Sequence, residues 1–298
     1  MAPLAHTLAL LAMAVATAAI SVVPLDMARN SFDDQYLTCS DKMSKKFPEL
    51  QGSDFLKNKE FKENWAVAMA QWQNQGSVSS PLTPDEAIAL MAYTMTDMNL
   101  YEQFNDAVHE AGSSSWKYRN EFHFKSLHFL LTRALQTLRQ LGDCKDVFWG
   151  VSRYQFEVNK DDEVRFGQFT LAALSETFQR LGKDTVFQVH TCHGVDIREF
   201  SMHPWKEEVL IPPFETFKVI AVSKEGNMMY IELRSTGNSS NYECEWLKGD
   251  TMGTSIMGTT SWEEQGHPVP SGSLPRNSPH LRGLLLATVA MALITGTL

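Results

Sequence analysis

The sequence predicts an α+β domain in which helices come first and antiparallel strands second. Two observations carry that prediction. Between residues 33 and 142 apolar side chains recur at three- and four-residue spacing, the period of a helix with one buried face. From residue 146 onward the runs shorten and several alternate, the period of half-buried strands. A helical half followed by a stranded half is the pattern of a sheet with its helices segregated to one side.

The helical half is justified element by element. Phe61, Trp65, Met69 and Trp72 recur on one apolar face. Thr83-Pro84-Asp85-Glu86 is a helix start, with Thr83 as N-cap, Pro84 in the first helical position and Glu86 closing a capping box. Ile88, Met91, Ala92 and Met95 then face the core, and a further helix carries Leu100, Phe104 and Val108 and stops at Gly112. The longest helix, 119–141, places Phe124, Leu127, Leu131, Leu135 and Leu138 on one stripe, with Gly142 as its stop. Such stripes of leucine, methionine and aromatic residues are core rather than cofactor boxes.

In the second half, 146–152, 163–170, 184–192, 195–200, 208–211, 214–223, 227–235 and 242–248 read as strands. Lys224-Glu225-Gly226-Asn227 is a hairpin turn, and a helix near 173–181 interrupts the series. Residues 250–282, rich in Gly, Ser, Thr and Pro, read as a stalk. The chain carries no internal repeat.

Composition and ends bound the compartment. The 298 residues carry a net charge of −9 without a Lys/Arg cluster, which argues against nucleic acid as partner. Residues 1–20 are apolar and uncharged with small residues near Ala18 and Ala19, a secretory signal peptide; the Val23-Pro24 step breaks the alternative of a buried N-terminal helix. Residues 283–298 are apolar and uncharged, and at sixteen residues fall short of the roughly 20 that a membrane span needs. Ser271, Gly272 and Ser273 precede that tail across a polar spacer, the layout of a GPI-attachment signal. The expected location is the extracellular face of the plasma membrane, with a short tail anchor or plain secretion as the alternatives. Cys39, Cys144, Cys192 and Cys244 fit an oxidising compartment and allow three pairings. Asn238-Ser239-Ser240 is an N-glycosylation sequon, expected in a turn.

The stretch with the most chemistry is Lys206-Glu207-Glu208-Val209-Leu210-Ile211-Pro212-Pro213-Phe214-Glu215. Two carboxylates enter an apolar run that a Pro-Pro step ends. Neighbouring side chains of a strand point to opposite faces, so Lys206 shares the face of Glu208 while Glu207 faces away. A carboxylate at the start of a buried strand stabilises positive charge on a sugar carbon, as in glycosyl transfer; the plainer reading is a solvated pair of acids beside a strand.

EEVLIPPFETFKV resembles the catalytic-glutamate segment of the vertebrate GPI-anchored, arginine-directed ecto-mono-ADP-ribosyltransferases. SFDDQY at 31–36, AIALMAYT at 87–94, FHFKSLHFLLTRAL at 122–135, VRFGQF at 164–169 and TGNSSNYECE at 236–245 are similar to the same family in the same order, so the resemblance spans residues 24–250. It implies a helical part, 33–142, packed on two small sheets, within 146–250, whose cleft holds NAD as the substrate. It implies the disulfides Cys39–Cys244 and Cys144–Cys192, and no metal. It implies ADP-ribose transfer from NAD to a protein side chain, usually arginine, at the cell surface.

Residue by residue, the family pattern is kept only in part. Glu208 matches the catalytic glutamate. Lys206 stands at the leading glutamate that receives the acceptor guanidinium, and its charge opposes that cation. The F-R-G-V strand reads Phe148-Trp149-Gly150-Val151, with Trp149 at the position of the phosphate-binding arginine. F-x-S-x-S reads Phe169-Thr170-Leu171-Ala172-Ala173, with Leu171 at the serine position and Thr170 on the opposite face. Arg165 is read as a positive charge near NAD or as a strand-edge salt bridge. His190, Cys192 and His193 carry little weight as a metal site, and His123 and His128, five apart on a helix, do not share a face. Two functions follow: an NAD-dependent transferase or glycohydrolase using Glu208, or a non-catalytic surface binding module on the same fold.

Overall fold

The computed structural model describes residues 20–253 apart from 76–79, 96–98, 140–142 and 176–183. The signal segment before residue 20, the 173–181 helix beyond Ser175, the Gly142 stop, the stalk beyond 253, the Ser271–Ser273 attachment site and the 283–298 tail therefore lie outside the described residues.

The helical layer contains α1 (Ser40–Lys57), α2 (Lys59–Asn74), α3 (Pro84–Tyr93), α4 (Leu100–Ala111), α5 (Ser115–Asn120) and α6 (Lys125–Leu138). Local chemistry explains its starts. Asn58 caps α2 by accepting from the Phe61 amide, and Thr83 and Glu86 form the expected capping box on α3 behind Pro84. On α2 the buried positions are Phe61, Trp65 and Ala68, while Met69 is exposed: the narrow stripe turns toward the smaller neighbour. The single helix expected over 119–141 is two, broken at 121–124. There Phe122 and Phe124 both enter the core, and buried Asp54 of α1 accepts hydrogen bonds from the Ser126 amide and hydroxyl at 2.8 and 2.7 Å. That carboxylate from another helix caps α6, a device no local pattern announces.

The strands are β1 (Ser21–Pro24), β2 (Lys145–Val151), β3 (Tyr154–Glu157), β4 (Glu163–Val164), β5 (Thr170–Ala173), β6 (Thr185–Thr191), β7 (Val195–Asp196), β8 (Glu208–Ile211), β9 (Glu215–Glu225) and β10 (Met228–Asn238). Eight of them form one sheet in the order β4-β9-β10-β6-β2-β5-β8-β7. A single residue pair, Phe148 with Ala173, joins β2 to β5, so the sheet divides into a five-stranded and a three-stranded part. Pairing is not wholly antiparallel: β10 runs parallel to β6, and β1 parallel to β3 in a separate two-stranded ribbon. Alternation reveals a strand but not its partner, which is why these parallel pairs escape the sequence.

Other departures have local causes. Expected strand 163–170 stops at Val164 because Gly167 takes a positive φ of 63° and Arg165 turns inward; pairing resumes at Thr170. Expected strand 195–200 gives way after Asp196 to a 3-10 turn, Arg198–Phe200. Expected strand 242–248 is instead helix α7 (Glu245–Gly253). Cys244 adopts φ 56° and the Asp34 carboxylate accepts from the Glu245 amide at 2.9 Å, which starts the helix. Asn238 ends β10 opposite Glu215 rather than lying in a turn.

Two apolar clusters fill the fold. One lies among the helices and takes in Phe169, Val195 and Leu210; the other holds Val147, Ala172, Phe187, Val209 and Ile211 on the opposite side of the strands. Both expected disulfides are present: Cys39–Cys244 closes the domain across 205 residues and Cys144–Cys192 ties the start of β2 to the end of β6. Loops of this length contribute on the order of 4 kcal/mol each in the chain-entropy view.

Candidate active site

Glu208 opens β8 and is 6% exposed. Its carbonyl accepts from the Ile197 amide at 3.1 Å, and the register Ala173–Glu208, Leu171–Leu210 fixes the strand against β5. Its carboxylate accepts a hydrogen bond from the Ser201 hydroxyl at 2.9 Å on Oε2, while the Lys206 ammonium stands 4.0 Å from Oε1. Burial pushes the Glu208 carboxyl above its ordinary value, and the Ser201 bond and the charges of Lys206 and His203 oppose that push.

Ser201 is held from the helical side. The Met202 amide donates to Thr94 Oγ1 at 3.0 Å and the His203 amide to Ser201 Oγ at 3.0 Å, so the turn carrying Ser201 is docked on the end of α3. The strand opposite is gripped too: Asn105 of α4 accepts from the Phe169 amide and donates to the Phe169 carbonyl, which also accepts from the Tyr93 hydroxyl. Sequence reasoning missed Ser201, Thr94 and Asn105. Ser201 lies seven residues before Glu208, across the 3-10 turn Pro204–Lys206, a spacing that matches no strand or helix face.

Lys206 and Glu208 share a side, as alternation predicts, although the backbone between them is not a strand. Residues Pro204–Lys206 form a 3-10 turn, and Glu207 takes a left-handed φ of 50°. Glu207 points away to the Arg198 guanidinium at 3.4 Å.

The three departures from the family pattern do not meet in one place. Paired residues of antiparallel strands project to the same face. Leu171, Ala173, Glu208 and Leu210 therefore lie on the helical side, and Phe148, paired with Ala173, joins them. Trp149 projects to the other face. Its indole stacks on Phe187 at 5.1 Å and meets Phe166 edge-on at 5.0 Å, within the second apolar cluster. Gly150 brings only backbone to the Leu171 side. Thr170 is buried on the Trp149 side, as expected.

Arg165 is neither near Glu208's partners nor at an exposed edge. It is 2% exposed, pairs with Asp33 at 2.6 Å, and donates to the carbonyls of Met27 and Ser239. His128 is core, bonded to the Tyr36 hydroxyl and the Phe32 carbonyl. Cys144, His190 and Cys192 place donor atoms within 4.8 Å of one another, yet the two sulfurs are bonded to each other and offer no thiolate.

A buried glutamate opens a strand beside a helical layer, and comparison with known proteins gives the family in which it stands. The sequence profile of the NAD:arginine ADP-ribosyltransferases matches residues 25–241, and the chain belongs to that family. It is 46% identical over 235 residues to the erythroblast NAD(P)(+)--arginine ADP-ribosyltransferase of Gallus gallus, covering 77% of this chain and 78% of that protein. It is 44% identical over 240 residues to GPI-linked NAD(P)(+)--arginine ADP-ribosyltransferase 1 of Mus musculus, covering 76% and 74%. The crystal structure of the eucaryotic mono-ADP-ribosyltransferase ART2.2 superposes with a TM-score of 0.65 at 38% identity, covering 75% of this chain and 99% of that one. A variant of ART2.2 has been solved in complex with NAD.

Proposed function

We propose that this protein is a GPI-anchored ecto-mono-ADP-ribosyltransferase that cleaves the nicotinamide glycosidic bond of NAD and passes ADP-ribose to a protein acceptor, arginine in its relatives. The observation that carries this reading is Glu208: a buried carboxylate, oriented by Ser201, at the strand start where the family places its catalytic glutamate. Nicotinamide leaves with the bonding electron pair and the ribose carbon becomes cationic. The Glu208 carboxylate stabilises that charge, the acceptor nitrogen forms the new bond to the same carbon, and its proton goes to solvent. Loss of one preorganised group of this kind costs about 10²–10³ in rate. Asn238 is the proposed glycosylation site and Ser271, Gly272 and Ser273 the proposed attachment region.

A second reading has its own observations. Leu171 brings no hydroxyl to the cleft, Trp149 is turned into the second apolar cluster, and Lys206 places a cation beside Glu208. These favour a surface binding module on the same fold. Nicotinamide release from NAD, measured with and without a soluble guanidino acceptor, separates the two. Release that Glu208→Gln abolishes supports the transferase, and acceptor dependence distinguishes it from a glycohydrolase. No release above the Glu208→Gln background, from folded and oxidised protein, leaves the binding module.

A further inference from the structure

β5 is bounded differently on its two edges. Toward β8 it pairs along its whole length, from Thr170–Ile211 to Ala173–Glu208, while toward β2 it has the single pair Phe148–Ala173. Alternate residues of a strand turn their amide and carbonyl to the same edge. Phe169, Leu171 and Ala173 therefore present backbone to the edge that β2 meets only at Ala173. At 169 and 171 those buried polar groups need partners from somewhere other than a strand.

Side chains of α4 supply them. Asn105 is 3% exposed and stands in for a facing peptide: its Oδ1 accepts from the Phe169 amide at 3.2 Å, and its Nδ2 donates to the Phe169 carbonyl at 3.1 Å. Nδ2 also donates to the Tyr93 hydroxyl at 2.9 Å. One turn before Asn105, the Tyr101 hydroxyl accepts from the Leu171 amide and is bonded to the Tyr93 hydroxyl, with the two rings 5.2 Å apart. The ladder is thus continued by side chains: Asn105 at Phe169, Tyr101 at Leu171, and β2 at Ala173. Burial raises both phenols, Tyr101 to about 12, and the charge of Glu208 pushes the same way. Both therefore remain hydroxyls at working pH, within electrostatic reach of that carboxylate.

We propose that Tyr101 and Asn105 are positioning residues for Glu208: from α4 they replace the strand that β2 withdraws, hold β5 in register with β8, and so fix where the Glu208 carboxylate stands. The catalytic consequence rests on the reaction proposed above; the structural part does not.

Two variants of the full, oxidised chain test this. Tyr101→Phe keeps the ring against Tyr93 and removes one hydroxyl, while Asn105→Asp keeps the acceptor for the Phe169 amide and loses both donated bonds. Amide hydrogen exchange over 169–173 and 208–211 is expected to quicken about tenfold in each, with α1 and α2 unchanged. In nicotinamide release, kcat is expected to fall about tenfold while KM for NAD stays within about twofold. Tyr101→Phe combined with Ser201→Ala should lose less than the product of the two single losses, because both act on one carboxylate; a merely structural weakening multiplies. Unchanged exchange over 208–211 in both variants, an undiminished kcat, or a multiplicative double variant each overturns the proposal. A wild-type chain that releases no nicotinamide sinks the transferase reading instead, and the exchange comparison then decides the positioning by itself.

Discussion

The Lys206 ammonium stands 4.0 Å from Oε1 of Glu208, the carboxylate oxygen that Ser201 leaves free. Lys206 is about one-third exposed and Glu208 is buried, so the pair sits at the protein surface's inner edge rather than in bulk solvent. A cation there opposes both an arginine acceptor and the positive charge that develops on the ribose.

Lys206→Glu is therefore expected to raise transfer to a guanidino acceptor by about tenfold, equivalent to about 1.4 kcal/mol. Acceptor-independent nicotinamide release should change less. The check is the ratio of the two rates in wild type and variant, taken on the alkaline plateau of each protein's pH profile. An unchanged ratio removes Lys206 from acceptor selection.

In the proposed reaction Glu208 acts ionised, and burial raises its pKa. Activity should accordingly fall with decreasing pH earlier than an ordinary glutamate would dictate. Ser201 and Lys206 both favour the charged form, so Ser201→Ala and Lys206→Ala should each move the acid limb of the kcat/KM profile to higher pH. A Ser201→Ala profile that moves the other way, or stays in place, contradicts the hydrogen bond's assigned part.

Asp33 and Arg165 form a buried pair that joins three distant segments. Arg165 donates to the carbonyls of Met27 and Ser239, while Asp33 accepts from the amides of Asn241 and Tyr242. Asp33→Ala strands a guanidinium in the core and should destabilise by about 3–5 kcal/mol in urea unfolding. The double variant with Arg165→Met should lose less than the sum, because no unpaired charge remains.

His128 is pushed down to about 3 by burial, so it folds neutral. Its contribution is present above the ordinary imidazole value of 6.5 and is lost as pH falls toward 3. Asp54 runs the other way: raised to about 6, it favours the folded state on acidification from about pH 6 to its ordinary 3.8. The two partly cancel between about pH 6 and 4, and below about pH 4 the His128 loss stands alone. Thermal melts of His128→Gln should show a flatter acid limb than wild type, whatever the variant's absolute stability.

Much of this architecture was legible before any coordinates. The capping box at Thr83, the Gly226-Asn227 hairpin turn and strand Glu208–Ile211 each have a cause within a few residues, and each stands where the sequence puts it. The family resemblance added the two disulfides. Reading failed where the cause lies far along the chain. Asp54 ends the expected long helix by capping Ser126, 72 residues away, and Asp34 turns the expected last strand into a helix from 211 residues away.

The sequence by itself determined the α+β class, because local period suffices for that, while the family resemblance singled out Glu208 and the altered positions 149, 171 and 206. Only the tertiary structure decided which of those residues face one another. Glu208 and Leu171 share the helical side, and Ser201 is brought to Glu208 by a turn docked on α3. Trp149, one strand over, is on the other face, in the second apolar cluster. The physical reason is pairing: a strand's alternation fixes two faces, but the register with its neighbour fixes which face meets which, and register is set by contacts distant in sequence.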